Sequence, residues 1–168
     1  MMNVSTTGID FIDDAEGRAA FEYPDVEGNP TIGIGHLLTR SELTSGKICL
    51  DEQYIKYRNG LTDEQMDNLL LQDLDPVEDI INRLVKVALT QYQFDSLASF
   101  TFNVGNGAFA GSTLLRKLQM GLYQDIPTQL RRWNKAREKG KLVVNRGLVN
   151  RREADIKLWN NQWRVKYA

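Results

Sequence analysis

A change of residue pattern near position 60 is the feature that most constrains the fold of this chain. Before it, residues 21–35 mix strand formers with proline, glycine, asparagine and aspartate, which is typical of short strands joined by tight turns. A third short strand is predicted within residues 46–58. After position 60, apolar residues recur at intervals of three and four, the spacing of one helix face. We therefore predict an α+β fold that is mainly helical, with its β structure near the N-terminus.

The predicted helices have recognisable start signals. Thr62 begins a capping-box pattern for a long helix, and Pro76 within that helix predicts a kink or a split into two. Thr90 and Ser112 are N-cap residues of later helices. From Thr90 onward we expect only helices, with a polar turn at residues 137–141.

The length of the chain, 168 residues, is enough for one ordinary hydrophobic core and too little for two comfortable domains. We therefore predict a single domain over residues 1–168. Within it we expect a small β lobe at about 18–60 and a larger helical lobe formed by residues 1–17 and 61–168. The long helix would join the two lobes, and a groove would lie between them.

Composition excludes several classes of site. The single cysteine, Cys49, cannot form an internal disulfide. The single histidine, His36, adds too few ligands for a zinc site, so we expect no metal and no cofactor, and we interpret His36 as structural. The sequence has no apolar run of about 18 residues, and we do not expect residues 1–14 to act as a secretory signal. We therefore expect no stable membrane insertion and folding in a cytoplasm.

Charge is unevenly divided along the chain. Residues 1–80 contain 17 acidic and 5 basic residues, a net charge of −12, whereas residues 81–168 contain 5 acidic and 16 basic residues, a net charge of +11. The two halves could attract each other, or the basic half could present a surface for an anionic polymer. A nucleic-acid partner is not expected, because the pI is about 5.9 and no recognised nucleic-acid-binding module is present.

Two carboxyl groups and one hydroxyl are the candidates for catalysis. Glu16 is predicted in the last turn of the first helix, where the helix dipole disfavours a charged carboxylate and favours a proton donor. Asp25 lies in a predicted hairpin turn, open to solvent and hydrogen bonds, where a carboxylate stays ionised. Thr31 opens the return strand, and its hydroxyl can donate to a carboxylate and hold a water. Such a pair is typical of glycoside hydrolysis, although two unrelated surface acids are the ordinary alternative.

Three sequence blocks resemble one known family. The first combines Glu16, Asp25 and the run TIGIGHLLT that begins at Thr31, with intervals of nine and six residues between the three candidates. The second is FNVGNGAF at 102–109 followed by STLLRKL at 112–118. The third is LRRW at 130–133 followed by GLVNRRE at 147–153. Taken together and in this order, the blocks resemble the phage-type lysozymes, or endolysins, of glycoside hydrolase family 24.

The resemblance implies a lysozyme-like fold and hydrolysis of the β-1,4 bond between N-acetylmuramic acid and N-acetylglucosamine in peptidoglycan. It implies that Glu16 protonates the glycosidic oxygen, while Asp25 and Thr31 position the attacking water. Inversion of the anomeric carbon is expected by analogy, and a nucleophilic role for Asp25 stays open. Two other functions also stay open at this point. One is a lytic transglycosylase acting on the same bond, and the other is a non-catalytic binder of anionic wall polymer.

The same resemblance implies substrate-binding residues. Leu37 follows the glycine–histidine pair of the family motif and is expected to line the sugar groove. Phe102 matches a groove aromatic of the family, and Asn103 matches the polar residue beside it. Gln129 corresponds to an asparagine that contacts the substrate, although Pro127 departs from the family pattern there.

The expected partner is the peptidoglycan glycan strand, bound by a monomer. We expect synthesis in the host cytoplasm and action on the cell wall, in the periplasm, that ends in host-cell lysis. Release would depend on a separate membrane-permeabilising protein.

Overall fold

The computed structural model describes residues 1–164 and contains, in that range, eight α-helices and seven short strands. The helices are α1 Thr6–Glu16, α2 Arg40–Ser45, α3 Asp63–Leu84, α4 Gln91–Val104, α5 Asn106–Ala110, α6 Thr113–Gln119, α7 Ile126–Arg131 and α8 Arg146–Trp159. The strands are β1 Ala19–Pro24, β2 Pro30–Gly33, β3 His36–Leu37, β4 Ile48–Leu50, β5 Gln53–Ile55, β6 Lys135–Glu138 and β7 Lys141–Val144. The predicted α+β class, mainly helical, is confirmed.

The chain divides into two compact units, one formed by Ile12–Asp75 and the other by Met1–Phe11 together with Pro76–Ala168. In the first unit, β1, β2 and β3 form an antiparallel sheet in that order, and β4 pairs with β5. Ile32 and Ile34 are buried here together with Ile48 and Tyr57. Burial of large apolar side chains of this kind is the main stabilising contribution to such a unit.

Helix α3 begins with the predicted capping box. The backbone N–H of Thr62 donates to Gln65 Oε1 (2.9 Å), and the Gln65 N–H donates to Thr62 Oγ1 (3.1 Å), so two otherwise unpaired helix-start donors are satisfied. The helix continues through Pro76 as one element, so the alternative of two separate helices is wrong. The amide of Asn106 donates to the carbonyl of Pro76 (3.1 Å).

The second unit has α4 at its centre. Residues 94–101 of α4 are all buried, and α4 packs chiefly against α8, which also packs against α7. A buried polar cluster joins α4 to α8. The Ser99 hydroxyl donates to Asp155 Oδ1 (2.7 Å), and Arg152 forms an ion pair with Asp155 Oδ2 (3.0 Å). Because buried charges are costly unless paired, this cluster fixes how the two helices meet.

The expectation that only helices follow Thr90 is wrong, because β6 and β7 form an antiparallel hairpin in the second unit. Its tip is Lys139 and Gly140, both with positive φ (48° and 78°), as tight hairpin turns require. Of the strand residues only Ala136 is buried. Strands this short and this charged carry too little alternation for sequence patterns to detect.

Within residues 1–164, no helix combines the length and the apolar character needed to cross a bilayer.

Candidate active site

Glu16 is the last residue of α1, as predicted. The following residue, Gly17, adopts a left-handed conformation (φ 71°), which glycine accepts without steric cost and which ends the helix. The half-buried Glu16 side chain lies against Gly35. Its Oε2 is 2.9 Å from the position that a Cβ atom on residue 35 would occupy. The end of α1 thus places this carboxyl beside the loop between β2 and β3.

Asp25 lies in the turn between β1 and β2, where its carboxylate is held by three N–H groups. Oδ1 accepts from the backbone N–H of Glu27 (2.9 Å) and of Asn29 (2.8 Å), and Oδ2 accepts from the Asn29 side-chain amide (3.1 Å). Hydrogen bonds to a charged acceptor are stronger than neutral ones. The turn therefore orients the carboxylate while leaving the residue partly exposed.

Thr31 is the middle member of a row across the sheet. It is paired with Tyr23 on β1 and with Leu37 on β3, and side chains of directly paired residues lie on the same face. Thr31 is only 2 % exposed, whereas Leu37 is 55 % exposed. The row therefore joins a buried hydroxyl to an accessible apolar side chain.

The Thr31 hydroxyl donates its proton to the backbone carbonyl of Asn29 (2.9 Å). Donation to a carboxylate, one of the two roles predicted for it, is therefore wrong for this structure. The reason is local, because the carbonyl two residues earlier comes within reach where β2 begins. With its single proton engaged, the hydroxyl oxygen offers lone pairs that accept a hydrogen bond.

Tyr23, which is paired with Thr31 across the sheet, is affected by the charge of both candidate acids. Its pKa is raised above the usual value, first by burial and then by the negative charges of Glu16 and Asp25. Both acids therefore contribute negative potential at the Tyr23 phenol. No role was predicted for Tyr23 from the sequence. Its position two residues before Asp25 was the available signal.

His36, the first residue of β3, stabilises the strand that follows the loop between β2 and β3. Its Nδ1 lies 2.7 Å from Asp73 Oδ2, and its Nε2 lies 3.0 Å from Glu42 Oε2. Burial alone would lower the pKa of His36, but the hydrogen bonds and charges of Asp73 and then Glu42 outweigh it and raise the pKa. Both ring nitrogens can donate only in the imidazolium form, so the geometry is that of a charged histidine between two carboxylates.

The other three predicted substrate-binding residues belong to the second unit. Phe102 and Asn103 are neighbours on α4 and are half-buried. The side-chain oxygen of Asn103 accepts from Arg152 Nη2 (2.7 Å), which leaves its NH₂ group as the available donor. Gln129 on α7 is only 6 % exposed, so little of its surface is accessible. Substrate contact by these residues stays a prediction.

Solved structures resemble this fold over nearly its whole length. The endolysin from Escherichia coli O157:H7 phage FAHEc1 matches with a TM-score of 0.82 and 32 % identity, covering 98 % of both chains. The muramidase domain of SpmX from Asticaccaulis excentricus matches with a TM-score of 0.77 and 30 % identity, covering 95 % of this chain and 98 % of that one. These likenesses define the class as lysozyme-like hydrolases.

Sequence comparison is more specific. The family model described as phage lysozyme matches residues 13–155. The endolysin of Salmonella phage P22 is 40 % identical over 136 residues, covering 81 % of this chain and 86 % of the relative. The chain therefore belongs to the phage lysozyme family. The matched range contains Glu16, Asp25 and Thr31.

Proposed function

We propose that this protein is an endolysin that hydrolyses the β-1,4 bond between N-acetylmuramic acid and N-acetylglucosamine in peptidoglycan, causing host-cell lysis. Family membership supports the reaction class, and similar proteins are named as endolysins and as a muramidase domain. The observation that carries the residue assignment is that Asp25 lies in the turn just before β2, Thr31 lies on β2, and the Glu16 carboxyl lies against Gly35 just after β2. Two carboxyl groups beside one short strand suit acid–base cleavage of a glycoside.

In the proposed mechanism, Glu16 is the general acid. Its proton passes to the glycosidic oxygen as the bond from that oxygen to the anomeric carbon breaks. This allows the sugar on the other side of the bond to depart as a neutral alcohol. Positive charge develops on the anomeric carbon and ring oxygen, and the Asp25 carboxylate stabilises it electrostatically.

Asp25 and Thr31 would position the attacking water. The engaged proton of Thr31 leaves its oxygen as an acceptor for one water hydrogen. The Asp25 carboxylate, oriented by its three N–H donors, accepts the other hydrogen as general base. The water oxygen then bonds to the anomeric carbon from the face opposite the leaving group, so the configuration inverts. Direct attack by Asp25, which would retain configuration through a covalent intermediate, is the alternative chemistry.

Leu37 is the proposed substrate contact in the first unit, because it is exposed and paired with Thr31. Phe102, Asn103 and Gln129 are proposed contacts in the second unit. We also propose that the chain is a single lysozyme domain. It would act as a monomer on the wall after synthesis in the host cytoplasm, once a separate membrane-permeabilising protein has released it.

Digestion of purified peptidoglycan by the native protein and the Glu16→Gln variant tests this proposal. An amide cannot supply the proton, so turnover should fall by on the order of 10²–10⁴-fold. Glu22→Gln is the matched control, because Glu22 is an exposed acid on β1 with no proposed role. Turnover of Glu16→Gln within about tenfold of the native protein would refute the assignment.

Mass spectrometry of the same digests identifies the products. Hydrolysis leaves reducing N-acetylmuramic acid ends, whereas a lytic transglycosylase leaves anhydro-muramic ends. Anhydro products would exclude the hydrolytic mechanism proposed here, and binding without any cleavage would exclude both reactions.

A further inference from the structure

Gly35 occupies the space next to the proposed general acid. A Cβ atom built on Gly35 would lie 2.9 Å from Oε2, 3.0 Å from Cδ and 3.1 Å from Cγ of Glu16. Such distances are shorter than ordinary van der Waals contact. The outer half of the Glu16 side chain therefore lies along the bare Cα of Gly35, and any other residue at position 35 would compete with it for space.

The backbone at Gly35 is held in place from both sides. Gly35 has φ 70°, a conformation that glycine adopts readily. Directly after it, His36 is bonded to Asp73 on α3 and to Glu42 on α2. His36 is also paired with Ile32 on β2. The loop is therefore anchored to two helices and a strand.

The Glu16 carboxyl is the end of a side chain with three rotatable bonds. When a side chain collides with a fixed backbone, the flexible partner moves, because rotating it costs less than deforming an anchored loop. A methyl group at position 35 would thus displace the carboxyl and leave the loop in place.

We propose that Gly35 is a positioning residue for catalysis: its missing side chain sets where the Glu16 carboxyl lies. This inference rests on the proposed role of Glu16 as general acid. It goes further by assigning a second residue, which never touches the reacting atoms, to the placement of the proton. A displacement of about 1 Å in a catalytic group can reduce turnover on the order of 10²-fold.

Gly33, the last residue of β2, provides a close control two residues before Gly35. Its φ is 66°, against 70° for Gly35, so alanine meets the same backbone penalty at both positions. The three atoms nearest to a Cβ built on Gly33 belong to Leu69, Leu61 and Met66, at 3.6–3.8 Å, which is ordinary contact. The two substitutions therefore share backbone strain and differ in whether they reach Glu16.

The experiment compares Gly35→Ala, Gly33→Ala and Glu16→Gln with the native protein. Melting temperature and the kinetics of peptidoglycan cleavage are measured for each. We expect the two alanine variants to lose similar thermal stability, within about 3 °C of each other, because Glu16 yields in Gly35→Ala. We expect kcat of Gly35→Ala to fall on the order of 10²-fold with KM changed less than about threefold, and Gly33→Ala to keep kcat within about threefold of the native value.

A crystal structure of Gly35→Ala should show the Glu16 carboxyl rotated away from position 35 with the His36 contacts unchanged. If kcat of Gly35→Ala equals that of Gly33→Ala while Glu16→Gln is inactive, the positioning role is wrong and the acid assignment stands. If Glu16→Gln is active, the acid assignment itself fails, and the role of Gly35 fails with it. An equal fall of kcat in both alanine variants would indicate general loosening of the loop and would also refute the inference.

Discussion

Replacing His36 with asparagine is the most informative stability test, because one side chain holds two carboxylates. The imidazole is 11 % exposed, and its partners Asp73 and Glu42 are 20 % and 18 % exposed. Solvent screening at these positions is therefore limited. Asparagine keeps a polar group of moderate size but has no charge to offer either carboxylate.

The expected loss of stability follows from the two contacts that His36 makes, with Asp73 and with Glu42. A hydrogen bond to a charged group contributes about 1.5–3 kcal/mol net, and the cost of burying the imidazolium opposes the sum of the two. We therefore expect His36→Asn to lower the free energy of unfolding by about 3 kcal/mol near neutral pH. For a protein of this size, that corresponds to a melting temperature lower by roughly 6–12 °C.

The pH dependence has a definite sign. The pKa of His36 is raised in the folded state, so folding favours the protonated form. The contribution of His36 to the free energy of unfolding is complete below the ordinary histidine pKa of 6.5. It decreases as the pH rises above that value and is lost once the pH passes the raised pKa. The stability difference between the native protein and His36→Asn should therefore narrow as the solution becomes alkaline.

Thermal unfolding followed by circular dichroism, from about pH 6 to about pH 10, measures this difference. Asp73→Asn is the matched variant, because it removes one partner and leaves Glu42 in place, whose Oε2 also accepts from the backbone N–H of Thr39 at the start of α2 (2.8 Å). The double variant should lose less stability than the sum of the two single losses, since both remove one shared contact. A difference between native protein and His36→Asn that stays constant across this range would refute the assignment of the charge to His36.

Two further predictions concern the second unit. Asp155→Ala removes the carboxylate that pairs with Arg152 inside the core and should destabilise the protein by about 3–5 kcal/mol. An unchanged urea midpoint would contradict this. Replacing three exposed lysines of the β6–β7 hairpin with glutamine should weaken lysis of whole cell wall at low salt, because a cationic surface attracts an anionic polymer over long distances. Salt shortens the range of this attraction to about 8 Å at physiological concentration, so the effect should shrink as salt is added. Cleavage of short soluble oligosaccharides should change little. These lysines are Lys135, Lys139 and Lys141, and the control is the same change at exposed Lys47, Lys56 and Lys86. Equal losses of activity on both substrates at every salt concentration would refute this role of the hairpin lysines.

Local sequence signals were sufficient where a structural feature depends on neighbouring residues. The capping box of Thr62 and Gln65 formed as predicted, and Glu16 ended α1 before Gly17. The turn that holds Asp25 uses only donors within four residues of it. Such features depend on hydrogen bonds between residues that are close in the sequence, so the sequence pattern predicts them.

The same reasoning failed where local signals were weak or depended on context. The sequence pattern predicts a turn between helices where the charged β6–β7 hairpin lies. Pro76, which disfavours a helix interior by about 3 kcal/mol, stayed inside α3 without splitting it. Tertiary packing of the apolar face contributes more to helix stability than intrinsic propensity does, so a local preference was overridden.

By itself the sequence determined the α+β class, the family blocks and the three candidate catalytic residues, because these depend on residue types and on intervals along the chain. Only the tertiary structure decided that Glu16 and Asp25 both raise the pKa of Tyr23, after burial, and that Asp73, 37 residues from His36, is bonded to that histidine. It also decided that the Glu16 carboxyl lies against the bare backbone of Gly35. Contacts between distant residues depend on how helices and strands pack, and one sequence alone carries no direct record of that packing.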